Sequence, residues 1–224
     1  MKIFIDAGHG GTDPGAIGNN TYEKNITLNV AKRVEYHLKR HGQTVIMARN
    51  GDETVSLTSR SNLCNSNNCD VSVSIHTNAF NGTAKGVETY TYGKGVNEMK
   101  LANCVHNKII GNNLYTINRG IKQADFHMVA VPKMAAILVE LAFIDNINDF
   151  ALLKNKQEDF AVAIAKGILE YFNILWKNEQ TATTTSNTLY IVSVGAFSNK
   201  DNANKLINEL KNKGYNAAIH ICKK

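Results

Sequence analysis

The chain has 224 residues, enough for one well-packed domain and a small appendage. A hydrophobic content of 43% is ordinary for a globular protein, and no run approaches the ~20 apolar residues of a membrane span, so we expect no membrane insertion. The net charge of +6 comes without any recognition motif, so nucleic acid is not expected as a partner.

The first forty residues predict a strand, a glycine-rich loop and a helix. Residues 2–7 (KIFIDA) are mostly apolar and predict a buried strand, and glycines recur from position 8 to position 18. A helix is predicted over residues 22–40, with Thr21 as its cap and Gly42 at its end. Its apolar positions recur every four residues: Ile26, Val30, Val34 and Leu38. This spacing places them on one face of the helix.

Strands and helices alternate through the rest of the first 176 residues. Strands are predicted at 43–48, 71–76, 86–92 and 136–141, and helices at 57–64, 97–110 and 160–176. Residues 111–135 show no regular pattern. Alternation of this kind is typical of an α/β fold, with a twisted, largely parallel sheet flanked by helices on both faces.

The last quarter of the chain differs in composition. Residues 177–187 (KNEQTATTTSN) form a polar linker, and residues 188–224 predict a small βαβ-like appendage, with strands at 189–197 and 216–221 and a helix at 200–213. Residues 177–224 carry a net charge of +4, which suits an anionic polymer or a solvated surface. We therefore predict three segments, at 1–176, 177–187 and 188–224.

Cysteine usage and the first residues bear on cellular location. Four cysteines form no CxxC pair, and we expect them to be unlinked thiols: Cys64, Cys69, Cys104 and Cys222. The opening MKIFIDAGHGG has no apolar signal region. These features predict a protein made in the cytoplasm without a signal peptide, unless a leader has been removed from this sequence.

Two histidines and two glutamates stand at the edges of predicted elements. His9 and His76 end strands, Glu23 opens a helix, and Glu140 interrupts the apolar run AAILVELAF. Ligand sites of open α/β sheets lie at the carboxyl ends of strands, so we expect these four side chains to converge. Two histidines and one carboxylate, with an open fourth position, are the ligands of a catalytic zinc.

Each of these residues also has a simpler interpretation. A histidine at a strand end is often only solvated, and Glu23 could merely complement the helix dipole. Glu140 is costly to bury without a partner, unless the strand ends there and leaves it exposed. The pattern does not decide which glutamate is a ligand and which is catalytic. His37 and His41, four apart at a helix end, are expected to be surface residues.

Four segments, in order, resemble the zinc-dependent N-acetylmuramoyl-L-alanine amidases of the amidase-3 type. They are IFIDAGHGGTDPGAIG, the helix with Glu23 in YEKNITLNVAKRV, SIHTNAFNGTAKGVETY and ILVELAFIDN, and the match covers residues 1–176. The resemblance implies that His9, Glu23 and His76 bind Zn²⁺ and that Glu140 is catalytic. It further implies hydrolysis of the amide between N-acetylmuramic acid and L-alanine in bacterial peptidoglycan.

The tail is similar to the first half of a sporulation-related repeat (SPOR) domain, a peptidoglycan-binding module. The similarity covers LYIVSVGAFSNKDNANKLINELKNKGYNAAI and stops where the second half of such a domain would begin. We expect a partial binding segment, with a vestigial tail as the alternative.

Without a signal peptide, the expected role is that of a phage endolysin, which reaches the wall after a holin opens the membrane. A host autolysin that is secreted by a leader absent here is the alternative. Two other classes are a non-catalytic wall-binding protein and a zinc hydrolase of small amides. The four intact site residues disfavour the first, and the linker and basic tail disfavour the second. The oligomeric state is not predicted.

Overall fold

The computed structural model describes residues 1–111, 114, 117–178, 195–213, 217 and 219. The chain forms two compact units, Met1–Asn178 and Glu179–Lys224. The strands of the first unit are β1 (Lys2–Ala7), β2 (Ile17–Gly18), β3 (Thr21–Tyr22), β4 (Thr44–Met47), β5 (Val71–Asn78), β6 (Val87–Thr91), β7 (Asn118–Gln123) and β8 (Ala135–Phe143). Its helices are α1 (Glu23–Arg40), α2 (Leu57–Ser66), α3 (Val96–Gly111), α4 (His127–Ala130), α5 (Ile147–Asn155) and α6 (Gln157–Tyr171).

Six strands form one sheet in the order β4-β1-β5-β8-β6-β7. All neighbouring pairs are parallel except β8 and β6, which run antiparallel. Strands β2 and β3 form a separate hairpin. The prediction of a largely parallel α/β sheet is therefore confirmed. None of the described helices is long and apolar enough to cross a membrane.

Helices cover both faces of the sheet. Ile3 and Ile5 belong to a large core shared with α1, α3 and α6, whereas Phe4 packs in a smaller core with Cys64 and Met128 from the other side. Successive strand side chains point to opposite faces, so β1 contributes to both cores. Burying each large apolar side chain contributes about 1.5–3 kcal/mol.

The amphipathic stripe of the first predicted helix is confirmed, because its four apolar residues are all buried in α1. The predicted cap was wrong. Tyr22 occupies the N-cap and makes no side-chain cap hydrogen bond. Thr21 instead pairs with Gly18 in the β2–β3 hairpin, directly before α1 begins.

The sequence patterns missed β7, α4 and α5 and misplaced α6. Strand β7 and helix α4 lie in the stretch expected to be irregular, and α5 was not predicted. Strand β7 is an edge strand with mostly polar residues (NRGIKQ), so it shows no apolar periodicity. Helix α6 begins three residues earlier than predicted and ends at Tyr171, before Trp176.

His37 and His41 are not surface residues; they are 3% and 6% exposed. Trp176 packs against both rings, with centroids at 5.4 and 4.5 Å. His41 Nε2 accepts a hydrogen bond from the Lys177 backbone N–H. The segment after α6 therefore packs against the end of α1. Local sequence does not reveal this tertiary contact.

In the second unit, the predicted helix is confirmed as α7 (Lys200–Asn212), whose cap Asn199 accepts from the Asp201 N–H. The predicted strands at 189–197 and 216–221 fall mainly outside the described residues. Of the cysteines, Cys64, Cys69 and Cys104 are free thiols, and Cys222 lies outside the described residues.

Candidate metal and catalytic site

His9, Glu23 and His76 meet at one edge of the sheet. One ligand atom from each side chain lies within 4.8 Å of the other two. Among the described residues, these three side chains are therefore placed to hold a metal ion. His9 Nε2 is 3.1 Å from Glu23 Oε2, and His76 Nδ1 is 3.0 Å from Glu23 Oε1. A tetrahedral ion with ligands at about 2.1 Å separates them by roughly 3.4 Å, so the donor set fits zinc.

His9 is held in an unusual backbone conformation. It follows β1 closely and has φ +61°, which is uncommon for residues other than glycine. Two buried arginines bind the carbonyl groups on this turn. Arg60 donates to the carbonyls of Ala7 and His9, and Arg49 donates to those of Ala7 and Gly8. These bonds hold the turn that aims the imidazole at the site.

Arg60 also forms a buried ion pair with Asp6. The second Asp6 oxygen accepts a hydrogen bond of 2.6 Å from Ser74 Oγ. Asp6 and Arg60 are 1% and 3% exposed, so each needs the other as a partner. This pair links β1, α2 and β5 directly beneath the turn that carries His9.

Glycine leaves the space that the two imidazoles occupy. A Cβ on Gly8 would lie 2.4 Å from the His76 ring. A Cβ on Gly15, which has φ +67°, would lie 2.6 Å from both Glu23 Oε2 and the His9 ring. Side chains at these two positions would therefore displace the ligand groups.

The Glu23 carboxylate is anchored by two backbone amides. The Ala16 N–H donates to Oε2 at 2.7 Å, and the Thr77 N–H donates to Oε1 at 2.8 Å. Glu23 is 3% exposed, and burial by itself would raise its pKa, but bonding to His76 and His9 lowers the pKa well below its usual range. Glu23 is therefore a fixed anion at the centre of the site.

Asp13 sets the orientation of His9 from outside the metal position. Its Oδ2 lies 2.8 Å from His9 Nδ1, on the side of the ring opposite Glu23. An Nδ1–H that donates to Asp13 leaves the Nε2 lone pair free for an ion, as in many metal sites. Burial lowers the His9 pKa, but Glu23 and Asp13 raise it more, to about 9.

Glu140 pairs with His76 across β8 and β5, but it does not end its strand. Strand β8 continues to Phe143, and β5 continues past His76 to Asn78, so the prediction of strand ends at these residues was wrong. Glu140 Oε2 is buried and has no hydrogen-bond partner among the described residues. Burial, followed by repulsion from Glu23 and Glu88, raises its pKa to about 7, although His76 acts in the opposite sense.

Glu88, Arg119 and Lys122 were not singled out from the sequence. Glu88 lies opposite Glu140 on β6 and forms ion pairs with both cations, which β7 carries. The only hint was the alternation GVETYT, which places Glu88 and Tyr90 on one face. The partners could not be predicted, because β7 itself was not.

Two parts of the chain match known protein families. Residues 3–170 match the N-acetylmuramoyl-L-alanine amidase family, and residues 168–221 match the SPOR domain family. The sporulation-specific N-acetylmuramoyl-L-alanine amidase of Bacillus subtilis is 35% identical over 98% of this chain and 84% of its own length. The endolysin of Bacillus phage SPP1 is 36% identical over 80% of this chain and 69% of its own length.

Solved structures show the same fold. An N-acetylmuramoyl-L-alanine amidase of Nostoc punctiforme superposes with a TM-score of 0.74 at 34% identity, over 77% of this chain and 97% of that protein. An amidase from Clostridium difficile gives 0.73 at 34% identity, over 77% and 96%. The chain therefore belongs to the N-acetylmuramoyl-L-alanine amidase family and is an enzyme that hydrolyses bacterial peptidoglycan.

Proposed function

We propose that His9, Glu23 and His76 hold a zinc ion and that Glu140 is the general base of the amidase reaction. The observation that carries this proposal is the buried Glu140 oxygen without a hydrogen-bond partner, next to three metal-ligand side chains. A carboxylate is costly to bury in this way unless a cation or a reacting water molecule lies beside it.

When bound, zinc supplies positive charge that polarises the scissile carbonyl and acidifies a water molecule. Glu140 accepts a proton from the attacking water, whose oxygen bonds to the lactyl carbonyl carbon. Glu140 then passes this proton to the amide nitrogen as the C–N bond breaks. The products are the muramic carboxylate and a stem peptide with a free L-alanine amino group.

The pKa values of the two glutamates suit Glu140, and not Glu23, to both proton transfers. A pKa of about 7 lets the carboxylate take a proton and release it near neutral pH. Glu23, whose pKa is held far lower by its histidine partners, is unsuited to that role and suited to binding a cation. This difference supports the assignment of Glu23 as ligand and Glu140 as catalytic residue.

Digestion of purified peptidoglycan tests the proposal. We expect new N-terminal L-alanine, detected by amino-group labelling, which disappears when a zinc chelator is added and returns when zinc is restored. Cleavage that persists in the metal-free protein would overturn the zinc assignment. Release of reducing sugars in place of L-alanine would overturn the reaction itself.

We further propose that residues 188–224 bind the wall while residues 1–176 cleave it, with 177–187 as the linker between them. The SPOR match supports this division of labour. Sedimentation of the inactive Glu140→Gln protein with purified sacculi tests this proposal. The comparison protein carries Leu206→Asp and Leu210→Asp in the same Glu140→Gln background, and these changes place charge on the half-buried face of α7. Equal sedimentation of both proteins would argue against the tail as a wall-binding segment.

The biological setting stays a prediction, with the endolysin role ahead of the host autolysin. Relatives of both kinds are similar over most of this chain, including a phage endolysin and a sporulation-specific amidase. Expression in a bacterial host with and without a holin distinguishes the two. Lysis that requires the holin supports the endolysin role, and lysis without it supports an exported autolysin.

A further inference from the structure

Beside the proposed catalytic glutamate lies a buried carboxylate, that of Glu88, which the reaction does not use. Glu88 is 2% exposed. Its Oε1 accepts hydrogen bonds from Asn78 Nδ2 and from the Tyr90 hydroxyl, the latter at 3.0 Å. Its Oε2 accepts from Arg119 Nε at 2.9 Å and from Lys122 Nζ. Both oxygens are thus fully engaged by the protein.

The cluster of Glu88, Arg119 and Lys122 carries two cations for one carboxylate. The two cationic side chains are about one-third exposed, so their net charge of +1 faces the surface beside the site. Burial would raise the Glu88 pKa, but Lys122 and Arg119 hold it below its usual range, so the anion persists. One positive charge therefore remains without a counterion within the cluster.

Arg119 presents an unused hydrogen-bonding face. Only its Nε bonds to Glu88, and within the described part of the chain its two terminal nitrogens have no hydrogen-bond partner. The Phe143 ring lies 5.0 Å from the guanidinium carbon. The bond to Glu88 and the contact with Phe143 fix the guanidinium plane. A fixed guanidinium with free terminal N–H groups is suited to bidentate binding of a carboxylate.

The cluster lies next to Glu140 in the sheet. His76, Glu140 and Glu88 are register partners on three adjacent strands. Neighbouring strands are about 4.8 Å apart, so Glu88 lies roughly 5 Å from Glu140 along the sheet, and Arg119 Nε is 2.9 Å from the Glu88 carboxylate. Side chains of such a row project from one face of the sheet, and the Arg119 cation lies at its outer end.

The stem peptide of the substrate carries a carboxyl group at a suitable distance from the scissile amide. The residue after L-alanine is a glutamate linked through its side chain, and its main carboxyl group is either free or amidated. This group lies about two residues from the scissile carbonyl, or roughly 7 Å along an extended chain. When the scissile carbonyl lies beside Glu140, this group is therefore within reach of the Arg119 guanidinium, which contacts the neighbouring Glu88.

We propose that Arg119, assisted by Lys122, binds the free carboxylate of the second stem-peptide residue and makes the enzyme prefer D-isoglutamate over D-isoglutamine at that position. This specificity rests on the proposed function, because it places the scissile amide between the metal ligands and Glu140. The amide has the same shape but lacks the charge, so the cationic cluster discriminates by electrostatics.

Two soluble substrates test the proposal with the full-length, zinc-loaded chain: N-acetylmuramoyl-L-alanyl-D-isoglutamate and its isoglutamine counterpart. A hydrogen bond to a charged group contributes about 1.5–3 kcal/mol. We therefore expect kcat/KM to be about 10- to 100-fold higher for the acid. Arg119→Gln should remove most of this ratio by lowering kcat/KM for the acid alone, and Arg119→Lys should keep part of it.

The matched control is Lys108→Gln. Lys108 forms an exposed ion pair with Glu170, between α3 and α6, so its loss removes a cation of similar exposure away from the site. The control should leave the ratio unchanged. A binding measurement with Glu140→Gln should show the same preference for the acid, independently of turnover.

Equal kcat/KM of the wild-type protein for both substrates would overturn the proposal, and this comparison does not depend on any variant folding. An equal loss on both substrates in Arg119→Gln would also overturn it, since Arg119 would then only support Glu88. No cleavage of either substrate by the zinc-loaded chain would instead reject the proposed function, and the specificity with it.

Discussion

Glu140 and Glu88 lie opposite each other across the antiparallel pair of β8 and β6, yet their environments favour opposite forms of the carboxyl group. Burial and repulsion from Glu23 and Glu88 raise the pKa of Glu140 to about 7, and one of its oxygens has no hydrogen-bond donor among the described residues. Glu88 is also buried, but Lys122 and Arg119 lower its pKa. Two neighbouring carboxylates with separated pKa values are typical of sites that move protons.

Replacing Glu140 by Gln should abolish turnover while metal binding persists. The amide has the same shape but cannot accept a proton, and general-base catalysis is worth about 10²–10⁴-fold in rate. We expect kcat to fall by that factor, with zinc content unchanged by elemental analysis. Glu170→Gln, at an exposed ion pair, is the control and should keep full activity. Wild-type turnover by Glu140→Gln would remove this residue from the mechanism.

Replacing His9 by Ala should prevent stoichiometric zinc binding. Only Glu23 and His76 would remain as ligands, and a catalytic zinc needs three. Metal content per chain, measured after dialysis, should fall well below one. His127→Ala serves as the control, because His127 contacts Ser61 and is not part of the ligand group. A His9→Ala protein that retains one zinc per chain would contradict the ligand assignment.

Replacing Asp13 by Ala should weaken zinc binding without abolishing it. Asp13 orients the His9 ring through Nδ1, and losing such an outer partner costs about 10- to 100-fold in metal affinity. Competition with a chromophoric chelator measures this shift. Asp52→Ala is a matched control in the neighbouring loop, where Asp52 binds the Gly11 N–H and Lys24. An equal effect of both substitutions would indicate general loop damage.

Replacing Arg60 by Met should destabilise the fold strongly. Asp6 would stay buried without its cation, a change that costs about 3–5 kcal/mol. Ser74→Ala removes one hydrogen bond from the same carboxylate and should cost only about 1 kcal/mol. Denaturant unfolding of both variants measures the difference. Similar free energies of unfolding would show that the Asp6–Arg60 pair is not the stabilising element.

Activity should fall on the acidic side of neutrality. Glu140 acts as a base only when ionised, and with a pKa of about 7 its ionised fraction decreases as the pH falls. A bound cation would lower this pKa, so we expect the acid limb of kcat/KM at or below pH 7. The slope should approach tenfold per pH unit well below the midpoint. A pH profile on a soluble muramoyl peptide measures it, and a flat profile from pH 5 to 8 would contradict the assignment.

Local sequence already determined the parts of the site that begin or end elements. The apolar strand before His9, the glycines at positions 8 and 15 and the four-residue periodicity after Glu23 each predict their own structure. Because parallel strands present their carboxyl ends at one edge, these patterns also predicted that His9, Glu23, His76 and Glu140 would meet. Spacing did not separate the roles of the two glutamates.

Only the tertiary structure decided how each carboxylate behaves. Whether Glu140 or Glu88 is neutral depends on which donors reach its oxygens, and the two cationic donors to Glu88 come from β7, an edge strand without apolar periodicity. The burial of His37 and His41 likewise depends on Trp176, more than 130 residues away. Ionisation reflects the electric field of neighbours in space, whereas sequence patterns report only neighbours along the chain.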